Sequence, residues 1–80
     1  MSPKLPRMTG KDLIRALRRH GLEVFDQEGS HVFLHRRLPD GRFSNRGTVP
    51  VHAGKILPPK TLKSILRDAG LIIDHLIELL

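Results

Sequence analysis

Apolar residues at Leu13, Ile14 and Leu17 recur at a spacing of three and four, which puts them on one face of a helix. Thr9, followed three residues later by Asp12, makes a capping box with Asp in place of the usual Glu, and Gly21 supplies the stop. The opposite face carries Arg15, Arg18 and Arg19. At Leu22 to Gln27 (LEVFDQ) the period shortens to two, with Leu22 and Val24 on one side and Glu23 and Phe25 on the other, which predicts a first strand. Gly29-Ser30 closes it. His31 to Leu38 predicts a second strand, in which Val32 and Leu34 face the core while His31, Phe33, His35 and Arg37 occupy the other face. The segment PDGRFSNRG is rich in turn formers and predicts a loop, followed by a third strand from Thr48 to His52 with Val49 and Val51 inward and His52 outward. Pro50 makes that strand an edge or an irregular one. A second helix is predicted from Pro59 or Lys60, carrying Leu62, Ile65, Leu66 and Ala69 until Gly70. The tail LIIDHLIELL predicts a short terminal helix from about Ile73, too apolar for a solvated end.

The order α-β-β-β-α with a short C-terminal helix implies an α+β fold, a two-layer sandwich with an antiparallel meander covered on one face and open on the other. Eighty residues hold one modest core. Residues 1–8, with two prolines and two cations, suit an extended N-terminal arm, and 9–80 form the single domain.

Composition narrows the function classes. There is no cysteine, so disulfides, thiolate metal sites and thiol nucleophiles are excluded, and a reducing cytoplasm is the expected location. No apolar run approaches the ~20 residues of a membrane helix, and MSPKLPRMTGK lacks an apolar stretch after its charges, so neither membrane insertion nor secretion is expected. Fourteen Lys plus Arg against eight Asp plus Glu leave a net charge of +6, which favours phosphate-bearing partners.

The open face holds the candidate chemistry. Free imidazole titrates near pH ~6.5, so a histidine takes and returns protons near neutrality. RNA offers such a group a target, because each 2′-hydroxyl is a nucleophile beside its own phosphodiester. His31 stands directly after Gly29-Ser30, where the glycine permits a tight turn with close approach of a ligand backbone and the serine hydroxyl can bond a phosphate. His35 and His52 are secondary candidates whose plainer reading is a surface residue. His20 suits the C-terminal dipole of the first helix, and His75 a solvated tail. His31 and His35 lie about 13 Å apart along a strand and cannot share one ion, so no metal site and no cofactor is expected. Lys55, Lys60 and Lys63 surround the start of the second helix, where free amides and the dipole favour an anion.

Taken in order, TGKDLIRALRRHG, EGSHVFL and TVPVHAGKILPPKTLKSILRDAGL resemble the HicA (YcfA-like) toxin family over nearly the whole chain beyond the arm. The resemblance implies a double-stranded-RNA-binding-domain-like fold, metal-independent cleavage of mRNA by an endoribonuclease, and neutralisation by a HicB-type antitoxin protein. It aligns His31 with the family's catalytic histidine. In the resulting assignment His31 is catalytic, Gly29 and Ser30 position the substrate, and Arg37, Lys55, Lys60 and Lys63 bind RNA. Two prolines stand before Lys60 where acidic, polar or glycine residues are more usual. The alternatives are a non-catalytic double-stranded RNA-binding module and, more weakly, a basic module that docks an acidic partner.

Overall fold

The Thr9 hydroxyl accepts the Asp12 amide and the Asp12 carboxylate accepts the Thr9 amide, both at 3.2 Å. This reciprocal cap satisfies donors that a first turn leaves open, and it starts helix α1 (Gly10–Arg19) where the sequence predicts. The computed structural model of the protein describes residues 5–80, and of 44–46 the backbone alone. Residues 1–4 of the expected arm lie outside that range. Leu13, Ala16 and Leu17 of α1 are buried, while Lys11, Arg15, Arg18 and Arg19 face solvent. Gly21 follows with φ +100°, a left-handed conformation that side-chain-bearing residues avoid.

Strands β1 (Leu22–Glu28), β2 (His31–Arg37) and β3 (Phe43–Pro50) form an antiparallel sheet in the order β1-β2-β3. Helices α2 (Pro59–Asp68) and α3 (Ile73–Leu79) complete the chain. The α+β sandwich is the expected one: α1 packs on β1 and β3, α2 on β3, and α3 on α1. The core between the layers is aliphatic, with Leu13, Leu17, Leu22, Leu34, Leu62, Leu76 and Val49 sealed from solvent. Burial of such side chains contributes about 1.5–3 kcal/mol each, which is the main force holding the layers together. Helix α3 is fixed by Leu76 in that core and by Arg19, whose guanidinium donates to the Leu79 carbonyl at 2.9 Å.

Several expectations change. Strand β3 begins at Phe43 rather than Thr48 and ends at Pro50, so His52 lies beyond it. The turn itself is confined to Leu38–Arg42, where the Leu38 amide donates to the Arg42 carbonyl at 2.7 Å and the Gly41 amide to the Leu38 carbonyl at 2.9 Å. Asp40 locks it by accepting the Arg42 amide and guanidinium at 2.9 and 2.6 Å. With the chain already reversed there, the turn-forming residues that follow pair with β2 instead, because an open strand edge offers their amides partners. Val51, expected within the strand, packs half-buried just past it. Val24 pairs with the buried Leu34 and shares its face, as the alternation predicts, yet it is 45% exposed because β1 is an edge strand. Beyond Val24 a bulge before Asp26 breaks the alternation of β1. Met8, the last residue of the arm, is buried, and its carbonyl accepts the Leu57 amide at 2.8 Å.

Candidate functional site

A two-residue turn, Gly29-Ser30, makes Glu28 and His31 the closing pair of the β1-β2 hairpin. Gly29 has φ +56°, with open space around the position of a Cβ. Both turn carbonyls are held. The Gln27 side-chain amide donates to the Gly29 carbonyl at 3.1 Å, and the Val51 amide donates to the Ser30 carbonyl at 2.7 Å. His31 therefore projects from a turn anchored to β1 and to the chain just past β3, and Val32 behind it is buried. The His31 side chain is exposed, flanked by Glu28 on β1 and Pro50 on β3. Directly paired residues bring their Cβ atoms within about 5 Å, so Glu28 and His31 are cross-strand neighbours.

Pro50 is also one wall of a recess of about 300 Å³ that His52, Lys55 and Thr61 line with the apolar Ile56 and Leu57. Of Lys55, Lys60 and Lys63, Lys55 is the one that lines a recess with Pro50, the cross-strand partner of His31. Lys60 lines a different recess with Thr48, Ser64 and Asp68, and Lys63 a third beside Leu66 and Leu71, so the three lysines do not converge. The first turn of α2 has Pro58 as its cap residue, no side-chain cap and no acidic residue, which leaves its positive end open to an anion. Arg37 lies at the far end of β2, six residues and about 20 Å from His31. Its guanidinium sits 5.7 Å from the centre of the Phe43 ring.

The sequence reading overlooked what surrounds that arginine. The His35 ring is sandwiched between Phe25 and Phe43, with centroids 4.2 and 3.9 Å apart and planes inclined by 10° and 15°. Phe33 leans on Phe25 at 6.3 Å. Phe43 was hidden in the expected loop, whereas alternation places Phe25 on the face opposite Leu22 and Val24, and only the ring contacts with His35 were not announced. Glu28 was legible, because a two-residue turn dictates its closing pair.

On the helical side, His20 and His75 approach with ring centres 6.4 Å apart. Burial first, then the nearby charges of Arg36 and His75, lower the His20 pKa from its ordinary 6.5. These effects outweigh the helix C-terminus, which favours a cation. Among the described residues no three His, Asp or Glu side chains are grouped to hold a metal ion, and no helix is long and apolar enough to cross a membrane.

Comparison with known proteins bears on this arrangement. Residues 10–71 match the sequence model of a family described as HicA toxin of bacterial toxin-antitoxin, a span that runs from the first residue of α1 to just past α2. No curated protein gives a significant match to the chain.

Proposed function

The chain belongs to the HicA toxin family of bacterial toxin-antitoxin systems, and from that membership together with the geometry of the Gly29-Ser30-His31 turn we propose that it is a metal-independent endoribonuclease that cleaves mRNA. The observation that carries the reading is the placement of His31, an exposed imidazole on a turn whose two carbonyls are both tied down. A fixed proton carrier open to a polymer on one side is what cleavage through the 2′-hydroxyl requires.

In the proposed reaction the neutral His31 imidazole removes the 2′-hydroxyl proton, and the 2′-oxygen forms a bond to phosphorus as the bond to the 5′-oxygen breaks. The proton returns to the leaving 5′-oxygen, giving a 2′,3′-cyclic phosphate and a 5′-hydroxyl. Gly29 leaves room for the phosphate and the Ser30 hydroxyl donates to it. Lys55 across the recess, and more distantly Lys60, Lys63 and Arg37, offset the charge of the RNA chain. Being a toxin of such a pair, the protein has an antitoxin as its partner; in this reading it is of the HicB type, and an acidic segment covering His31 and the basic residues stops cleavage. The site of action is the cytoplasm, where mRNA is found.

The test is RNA cleavage by the wild type and by His31→Ala in excess chelator, with product ends analysed. The wild type should cut and leave cyclic phosphate ends, and the variant should be about 10²- to 10⁴-fold slower with its fold intact. Cleavage by His31→Ala at the wild-type rate removes the assignment. Duplex binding without cleavage by either protein makes the molecule a passive RNA binder.

A further inference from the structure

Phe25, Phe33 and Phe43 are the only Phe, Tyr or Trp residues in the chain, and none of them is in the core. Large rings usually supply much of the buried area of a small domain. Here the core is aliphatic, Phe25 and Phe43 are 46% and 45% exposed, and Phe33 is half-buried. Two exposed rings and a half-buried one on one sheet face cost solvation free energy and contribute little to packing between the layers, so their placement points to a ligand.

Their order indicates which ligand. Phe25 on β1, His35 on β2 and Phe43 on β3 form one row of near-parallel rings that crosses the whole sheet, with the Arg37 guanidinium at its β3 end. Both faces of His35 are taken by the two phenylalanines, so an unpaired nucleobase extends the stack at an outer face of the row, Phe25 at one end or Phe43 beside Arg37 at the other, since every base has a π face and every nucleotide a phosphate. A duplex hides its base faces and presents only edges and backbone, so it has no use for such a row. The row is also continuous with the turn: His31, Phe33 and His35 alternate along one face of β2, and about 13 Å separates the first from the last. A single strand spans that distance in a few nucleotides. Glu23 and Glu28 stand across from His35 and His31 on β1, which keeps a phosphate chain toward β3 and Arg37.

We propose that the open face of the sheet is a stacking platform for unpaired bases of single-stranded RNA, with the Phe25-His35-Phe43 row holding bases a few nucleotides from the phosphodiester presented to His31. The position of the scissile phosphate rests on the cleavage reading above, whereas the platform itself is a matter of binding and is measured separately.

The experiment uses the full chain and an uncleavable 2′-O-methyl single strand that carries 2-aminopurine, whose fluorescence is quenched on stacking. Binding should be saturable with quenching, and weaker for the same sequence in a duplex. The double variant Phe25→Leu/Phe43→Leu should lose the quenching and bind about 5- to 150-fold more weakly for each base displaced. Phe43→Tyr keeps a flat ring and should bind as the wild type does, which separates stacking from a general loss of structure. Equal affinity and quenching in the double variant overturn the platform, as does a preference for the duplex. Loss of a protein partner with oligonucleotide binding unchanged also overturns it, assigning the face to protein docking. If His31→Ala still cleaves RNA, the cleavage reading fails while these binding results stand.

Discussion

The Val51 amide donates to the Ser30 carbonyl at 2.7 Å, joining the β1-β2 turn to the stretch of chain that leaves β3. This bond crosses the sheet beside the His31-Pro50 pair. It therefore fixes the backbone on which the imidazole stands with respect to the recess lined by His52 and Lys55.

The turn should be sensitive to backbone conformation and insensitive to bulk. Gly29 has φ +56° and nothing within 4 Å of a Cβ position, so Gly29→Ala should cost about 1–2 kcal/mol from left-handed strain alone. Gly29→Asn should cost less, because asparagine tolerates that region. Denaturant midpoints of the two variants test this; equal losses would place the cost in side-chain contacts instead.

Gly10 presents the opposite case. Its φ is ordinary, yet an added Cβ would run into the carbonyl oxygen of Pro50 on β3. Gly10→Ala should therefore lower stability by about 1–3 kcal/mol through overpacking, although alanine is the better helix former. Thr9→Ala, one residue earlier, should cost about 1 kcal/mol by removing the cap. A stabilising Gly10→Ala in thermal or urea unfolding would contradict the close packing of α1 on Pro50.

Stability should fall as pH drops from neutrality. The folded state holds the His20 pKa below its ordinary 6.5, because burial, Arg36 and His75 disfavour the charged ring. The unfolded chain thus binds a proton first, and the loss begins as pH falls through about 6.5 and is complete below the folded pKa. Asp40 acts in the same direction but in a separate window below 3.8, where its carboxyl, held down by the Arg42 amide and guanidinium, finally protonates. Unfolding midpoints between pH 7.5 and 5.5 should decline in the wild type and decline less in His20→Gln.

RNA binding should weaken steeply with salt, since phosphate neutralisation releases counterions. Lys55→Ala should reduce the slope of log affinity against log salt by about 0.7 for a single strand. The aromatic variants should weaken binding without changing that slope. A Lys55 variant with an unaltered slope would place this lysine outside the RNA track.

The main elements were legible because each rests on local signals. Thr9 and Asp12 start α1, Gly21 and Gly70 end helices, Val32 and Leu34 set the inward face of β2, and Gly29-Ser30 turns the chain beside His31. Such features depend on neighbours within a few positions, so the sequence by itself determined the α-β-β-β-α order, the open sheet face and the exposed histidine at the turn.

Tertiary structure decided what depends on pairing and on competition between segments. Phe43 belongs to β3 because β2 offered its backbone a partner, and the ring row forms only because that pairing brings Phe43 against His35 on the side opposite Phe25. Lys55, Lys60 and Lys63 line three separate recesses because Lys55 precedes α2 while Lys60 and Lys63 ride on it, against different neighbours. Local propensity specifies which elements form; the distances between side chains of different elements are fixed only when the aliphatic core closes and the layers settle against one another.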